Sequence, residues 1–78
     1  MIEQKVKTII ANQFGKPIES INTTDNLDDL GADSLDIVEV VMELEDVFKI
    51  SIEEEEYANR STVASIVELI ENKLAPKV

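Results

Sequence analysis

The chain contains no cysteine, histidine or tryptophan. Without cysteine there is no disulfide, and the protein has no thiolate of its own for nucleophilic or redox chemistry. Without histidine it lacks the commonest general base and the commonest metal ligand. Its 78 residues predict a single domain, residues 1–78, with a modest core. We therefore expect neither an enzyme active site nor a metal site.

Basic residues are also scarce. Seven Lys and Arg against 17 Asp and Glu give a net charge of −10 at pH 7. Such a charge repels nucleic acid and anionic membranes and favours basic partner surfaces, although from the charge alone a solubilising acidic coat is the preferred explanation. Residues 17–48 contain no base. Their ten acids are Glu19, Asp25, Asp28, Asp29, Asp33, Asp36, Glu39, Glu43, Glu45 and Asp46.

Long apolar runs are absent as well. No run approaches the roughly 20 apolar residues that span a bilayer, and residues 1–5 do not resemble a signal peptide. We therefore expect no membrane insertion and a cytoplasmic monomer, or an organellar protein if a targeting segment was removed.

Apolar residues recur at helical spacing over most of the chain. The spacing predicts helix I over about residues 2–14, helix II over about 34–48 and a short helix III over 53–59. Gly15 followed by Pro17 is typical of a helix end. No strand pattern competes strongly. The prediction is an all-α bundle of three longer helices plus a short helix III, with a long loop between helices I and II.

Cap signals mark the later helices. Ser51 and Glu54 have capping-box spacing before helix III. Ser61 or Thr62 is expected to cap helix IV, and Pro76 lies beyond its end. The predicted apolar stripe of helix IV is Val63, Ile66, Val67, Ile70 and Leu74.

The loop over residues 15–33 is long for a compact domain, and such loops are usually functional or held down. We expect a helical turn over 26–30 that Gly31 ends. The expected anchors of the loop are Ile18, Ile21, Leu27 and Leu30. The residues expected to be buried are Val6, Ile9, Ile10, Leu30, Val40, Leu44, Phe48, Val63, Val67 and Ile70.

Helix II carries more apolar residues than a core face requires. A step of 100° per residue separates two apolar arcs, with acids beside the second one. The broad arc, expected to face the core, is Ile37, Val40, Val41, Leu44, Val47 and Phe48. The narrow arc is Leu35, Val38 and Met42, and the acids are Asp36, Glu39, Glu43 and Asp46. The second arc either packs under the long loop or forms a docking surface for a basic partner, in which apolar anchors give affinity and charge gives orientation.

Ser34 stands at the predicted start of helix II. Serine there is most often an N-cap, but Asp33 caps equally well and has capping-box spacing with Asp36, which leaves the Ser34 hydroxyl free. As a nucleophile Ser34 would lack a base. Ser34 fits better as an acceptor that another protein modifies. A phosphate on Ser34 would lie at a helix N-terminus, which favours anions, although Asp33 and Asp36 would repel the phosphate.

Residues 31–36, with the sequence GADSLD, continue into an acidic helix and resemble the acyl carrier proteins of dissociated fatty acid synthesis. The resemblance covers the whole chain. It implies a covalent 4′-phosphopantetheine on Ser34, transferred from coenzyme A by a carrier-protein synthase with magnesium. The thiol of this group would carry acyl chains as thioesters to fatty acid synthesis enzymes.

The resemblance also implies two sets of binding residues. Partner enzymes would bind Asp33, Leu35, Asp36, Val38, Glu39, Met42 and Glu43. An acyl chain folded between helices II and III would lie near Val41, Leu44, Ile52, Tyr57 and Ile66. The chain departs from the family near helix III, where members often have a small residue near Tyr57 and an apolar one near Arg60.

Other functions remain open from the sequence. The protein could instead serve polyketide, lipid A, peptide or aminoacyl-transfer pathways. An adaptor of another class would use the acidic helical surface without modification of Ser34. An esterase-like enzyme is the most distant alternative, and it predicts turnover by the purified protein without any prosthetic group.

Overall fold

The computed structural model describes residues 2–75 and shows a helical bundle there. Its α-helices are α1 (Ile2–Phe14), α2 (Ser34–Phe48), α3 (Glu54–Tyr57) and α4 (Val63–Leu74). This part of the chain has no strand, only an isolated antiparallel bridge between Asn26 and Thr62. The all-α prediction and the bounds of α1 and α2 are confirmed. The predicted position of Pro76 lies outside the described residues.

The longer helices begin and end where local signals place them. α1 ends at Gly15, whose φ of 64° suits a residue without a β-carbon. α4 begins after Thr62, whose Oγ1 accepts a hydrogen bond from the Ser65 N–H at 3.2 Å. α2 ends in a left-handed residue that is not glycine, Lys49, with φ 58°. No helix over residues 2–75 is both long enough and apolar enough to cross a membrane.

The prediction for helix III was wrong in two details. The helix covers Glu54–Tyr57 rather than 53–59, and the Ser51–Glu54 capping pair does not form. The Glu53 N–H donates instead to Glu56 Oε1 at 2.8 Å. The reason is the buried Ile52, whose N–H donates to Glu45 Oε2 at 2.8 Å and keeps the preceding segment extended along α2.

The long first loop is attached to the segment that leads into α4. The Leu27 N–H donates to the Ser61 carbonyl at 2.7 Å, and the Val63 and Ala64 N–H groups donate to carbonyls of the loop. Ile21 and Leu27 are buried, whereas Ile18 and Leu30 are half-buried against the core. A 3₁₀ turn over Leu27–Leu30 confirms the expected turn, and Gly31 ends it with φ 91°.

The core lies among α1, α2 and α4. Leu30 and Phe48 were predicted to be buried but are only half-buried. Each is the last residue of its helical segment, where the next turn that would cover it is missing; Lys5 lies over the Phe48 ring, 5.9 Å from Nζ to the centroid. The buried residues are Val6, Ile9, Ile10, Ala11, Ile21, Leu27, Val40, Val41, Leu44, Ile52, Val63, Ile66, Val67, Leu69 and Ile70.

Two residues that were assigned to core faces are exposed. Val47 is 40% exposed because it lies in an open groove between α1 and α2, beside Lys5 and Glu43. Leu74 is 42% exposed in the last position of α4. Leu69, outside the predicted stripe, is buried because α4 packs on both α1 and α3 and therefore needs a wider apolar face.

Candidate attachment site

Ser34 is the first residue of α2, and its side chain is exposed. The cap of this helix is Asp33, whose Oδ1 accepts a hydrogen bond from the Asp36 N–H at 3.0 Å. The Asp33 N–H in turn donates to Asp36 Oδ2 at 3.2 Å, which completes the capping box. Within residues 2–75, no side-chain hydrogen bond uses the Ser34 hydroxyl. The cap is therefore formed without Ser34, and the hydroxyl is free to react.

The turn before α2 determines where Ser34 lies. Asn26 Oδ1 accepts a hydrogen bond from the Asp28 N–H at 2.9 Å and opens this turn. The Gly31 and Ala32 N–H groups donate back into the turn, to the Asp28 and Leu27 carbonyls. Because Leu27 is buried, these bonds attach the start of α2 to the core.

An open cleft of about 290 Å³ lies directly beside Ser34. One wall comes from α2 and the first loop, and the opposite wall comes from α3 and the residues that follow it. The lining residues besides Ser34 are Leu27, Asp28, Ile37, Val38, Glu54, Tyr57, Ala58, Arg60 and Ser61. Apolar side chains of α2 thus face polar and charged groups near α3.

The cleft contains one of the residues predicted for an acyl pocket, Tyr57. The other four, Val41, Leu44, Ile52 and Ile66, are buried in the core and do not line the cleft. The structure therefore places Ser34 and Tyr57 in the same cleft, whereas the other four predicted pocket residues are buried in the core.

The narrow apolar arc of α2 is exposed. Leu35 is 64% exposed, Met42 is 61% exposed and Val38 is 39% exposed. The alternative that this arc packs under the long loop is therefore wrong for Leu35 and Met42, while Val38 is partly covered where it lines the cleft.

The acids beside this arc form no ion pair within residues 2–75, so their charge is available to a partner. Gln13 of α1 donates a neutral amide to Asp36 Oδ1 at 3.4 Å and to Glu39 Oε2 at 3.3 Å. The ion pairs over residues 2–75 involve other carboxylates, those of Glu3, Glu56 and Glu68. In the same part of the chain, no cluster of three potential metal ligands occurs. The surface thus combines apolar side chains with acids that have no basic partner of their own.

The sequence marked Arg60 as a departure from the family pattern near helix III but did not include it among the site residues. Arg60 lines the cleft and bonds to α4, with Nη1 at 2.7 Å from the Ser65 carbonyl oxygen. The available signal was that Arg60 is the single base between Lys49 and Lys73. Its contacts could not be read from that, because they depend on how α3 lies against α4.

Residues 4–70 match the protein family described as phosphopantetheine attachment site. Its members carry a covalently attached 4′-phosphopantetheine, which confirms the predicted cofactor. The geometry is compatible with this group, because an exposed, unbonded hydroxyl at a helix N-terminus and beside an open cleft has room for a phosphodiester. The chain belongs to this family and is a phosphopantetheine-carrying carrier protein.

Proposed function

We propose that residues 1–78 form a single acyl carrier domain of fatty acid synthesis, with 4′-phosphopantetheine attached to Ser34. The observation that carries this proposal is the free Ser34 hydroxyl at the start of an α2 surface that is both apolar and acidic. The protein would act as a cytoplasmic monomer that presents cargo and has no turnover of its own.

Ser34 is favoured over other hydroxyl groups by its contacts. The Ser20 and Ser65 hydroxyls donate to the carbonyls of Pro17 and Thr62, each at 2.7 Å. Ser61 Oγ accepts a weak hydrogen bond from Asn26. Of the exposed serines, Ser51 also makes no side-chain hydrogen bond, but it lies in the extended segment before α3 rather than at the first residue of a long helix.

The attached group supplies a flexible arm whose terminal thiol holds an acyl chain as a thioester. The task of the protein is then to hold the arm at a fixed point and to bring it to partner enzymes. Tethering raises the effective concentration of the cargo at a docked enzyme, and docking orients it. The N-terminus of α2 favours the negative phosphodiester, which partly offsets repulsion from Asp33 and Asp36.

The partner surface in this proposal consists of Asp33, Leu35, Asp36, Val38, Glu39, Met42 and Glu43. Leu35 and Met42 are the most exposed large apolar side chains on α2 and are suited to insert into an apolar depression of a partner. Acids without basic partners in the described structure would steer basic surfaces of the synthase and of fatty acid synthesis enzymes. Met42 suits several partners, because its side chain adapts to different shapes.

The acyl chain is proposed to enter the cleft beside Ser34 and to contact Tyr57 first. Val41, Leu44, Ile52 and Ile66 are the proposed deeper neighbours. Because these four are buried, a chain can reach them only if α2 and α3 move apart or the core repacks.

Intact mass spectrometry tests the attachment site. Wild type, Ser34→Ala and Ser51→Ala are incubated with coenzyme A, magnesium and a carrier-protein synthase. We expect wild type and Ser51→Ala to gain one phosphopantetheine and Ser34→Ala to gain none. A gain by Ser34→Ala, or no gain by wild type with a synthase that modifies a known carrier, would contradict the assignment.

A second experiment tests the pathway. The modified protein is offered to a fatty acyl ligase and, separately, to an aminoacyl ligase. Loading by the fatty acyl ligase and elongation by fatty acid synthesis enzymes support the proposal. Loading by the aminoacyl ligase alone would assign the protein to another pathway. An unmodified adaptor would instead retain its partner binding and biological activity in Ser34→Ala.

A further inference from the structure

Helix α3 has two sides with different contacts. Glu54, Tyr57 and Ala58 line the cleft beside Ser34. The other side faces α4, where Lys73 Nζ lies 2.7 Å from Glu56 Oε2. None of the four residues of α3 is fully buried. Tyr57 packs against the edge of the core, and polar bonds to α4 add to what holds this wall of the cleft in place.

Arg60 adds the second connection between α3 and α4. Its Nε donates to the Glu56 carbonyl at 3.0 Å, at the end of α3. Its Nη1 donates to the Ser65 carbonyl at 2.7 Å and lies 3.2 Å from Glu68 Oε1. One guanidinium thus joins the backbone of α3 to the backbone and a side chain of α4. Bonds from an ionised donor are stronger than neutral ones, and the rigid fork of arginine suits several acceptors at once.

We name the four side chains Glu56, Arg60, Glu68 and Lys73 the α3–α4 latch. The latch connects α3 to α4, and Tyr57 of α3 lies across the cleft from Ile37 and Val38 of α2. The cleft, about 290 Å³, is slightly smaller than the roughly 300–1,000 Å³ that small-molecule pockets usually occupy. The residues behind the cleft are buried in the core.

We propose that the α3–α4 latch limits the length of acyl chain that the protein shelters, and that Arg60 is the specificity-determining residue. The inference depends on the proposed function, in which cargo enters this cleft. A short chain fits with the latch closed. A longer chain has to displace α3, which breaks the bonds from Arg60 to Ser65 and from Lys73 to Glu56. The latch therefore opposes long chains and leaves short ones unaffected.

Thioester protection tests this proposal. Wild type, Arg60→Met and Lys73→Met are loaded with saturated acyl chains from butanoyl to hexadecanoyl, and the rate of thioester cleavage by hydroxylamine is measured. Lys7→Met is the matched control, because Lys7 pairs with Glu3 on α1 at 3.2 Å, away from the cleft.

We expect both latch variants to slow cleavage of the long-chain thioesters by roughly two- to fivefold, as suits the loss of bonds at a partly exposed site, with short-chain rates unchanged. Lys7→Met should match wild type at every length. Equal chain-length profiles in wild type and both latch variants would overturn the proposal.

Hydrogen exchange on the unmodified protein tests the latch independently of loading. The Ala58 and Arg60 N–H groups, which donate to the Glu54 and Tyr57 carbonyls, should exchange several-fold faster in Lys73→Met, with amides in the centre of α2 unchanged. Unchanged exchange at Ala58 and Arg60 would refute the latch. If no cargo can be loaded because Ser34 is not modified, length selection fails together with the proposed function, and exchange still decides whether the latch exists.

Discussion

Replacing Asp33 separates two roles that one carboxylate could have at the start of α2. Its Oδ1 accepts the hydrogen bond from the Asp36 N–H at 3.0 Å, and its charge belongs to the proposed partner surface. Asp33→Ala removes both properties. Asp33→Asn keeps a side-chain acceptor and removes only the charge, and asparagine caps helices about as well as aspartate.

The expected magnitudes follow from the geometry of the cap. Loss of a capping side chain costs about 0.5–2 kcal/mol, typically near 1 kcal/mol. For a domain of this size, about 1 kcal/mol lowers Tm by about 4–8 °C. Asp33→Asn loses an interaction with the helix dipole of about 0.3–1 kcal/mol but also loses repulsion from Asp36. We therefore expect Asp33→Ala to lower Tm by several degrees and Asp33→Asn to change it little.

Thermal unfolding followed by circular dichroism measures the first effect, and the initial rate of modification by a carrier-protein synthase measures the second. If the Asp33 charge contacts the synthase, the synthase modifies Asp33→Asn more slowly than wild type, although the Tm of the variant is nearly unchanged. Asp29→Asn, an exposed acid outside the proposed surface, is the control. An equal loss of Tm in Asp33→Ala and Asp33→Asn would refute the argument that the hydrogen bond stabilises this helix end.

Two further predictions concern the ends of other helical segments. Lys49→Gly should raise the free energy of unfolding by about 0.5–1 kcal/mol, because φ 58° costs an L-residue roughly 1–2 kcal/mol and the added freedom of unfolded glycine offsets about 0.4–1 kcal/mol. Lys49→Ala, which removes the same charge and keeps the strain, should not gain stability in thermal unfolding; equal gains would contradict the reasoning. The hydrogen bond from the Glu53 backbone N–H, and then the bond from Lys73, lower the pKa of Glu56 below its ordinary value of 4.5. Ionised Glu56 therefore stabilises the folded state above pH 4.5, and this stabilisation is lost as the pH falls through the lowered pKa. Fluorescence of Tyr57, the only tyrosine in a chain without tryptophan, should report this acid transition, and Glu56→Gln should remove part of it; an identical titration of the variant would count against the assignment.

Local features of α2 could be read from the sequence. The bounds of α2 and the Asp33–Asp36 capping box were predicted correctly, and the exposed alternative for Leu35 and Met42 was one of two that the sequence left open. These features depend on residues within one or two helical turns of each other, so the order of residue types contains the necessary information. The position of Ser34 at the first helical residue followed from the same signals.

Burial at the ends of helices could not be read in the same way. Val47 and Leu74 have apolar side chains at suitable spacing, and both are exposed. Helical periodicity gives the direction in which a side chain points, but a neighbouring element has to cover it. Phe48 and Leu30 are half-buried for the same reason, since each ends its segment.

The sequence by itself determined the helical class, the bounds of α1 and α2, and the position of Ser34 at the head of an acidic helix beside a capping Asp33. The tertiary structure alone decided that Ser34 and Tyr57 share a cleft, that four predicted pocket residues are closed in the core, and that Arg60 joins α3 to α4. Caps and periodicity arise between residues close in the chain. The cleft and the bonds of Arg60 arise between segments whose meeting depends on the packing of the whole bundle.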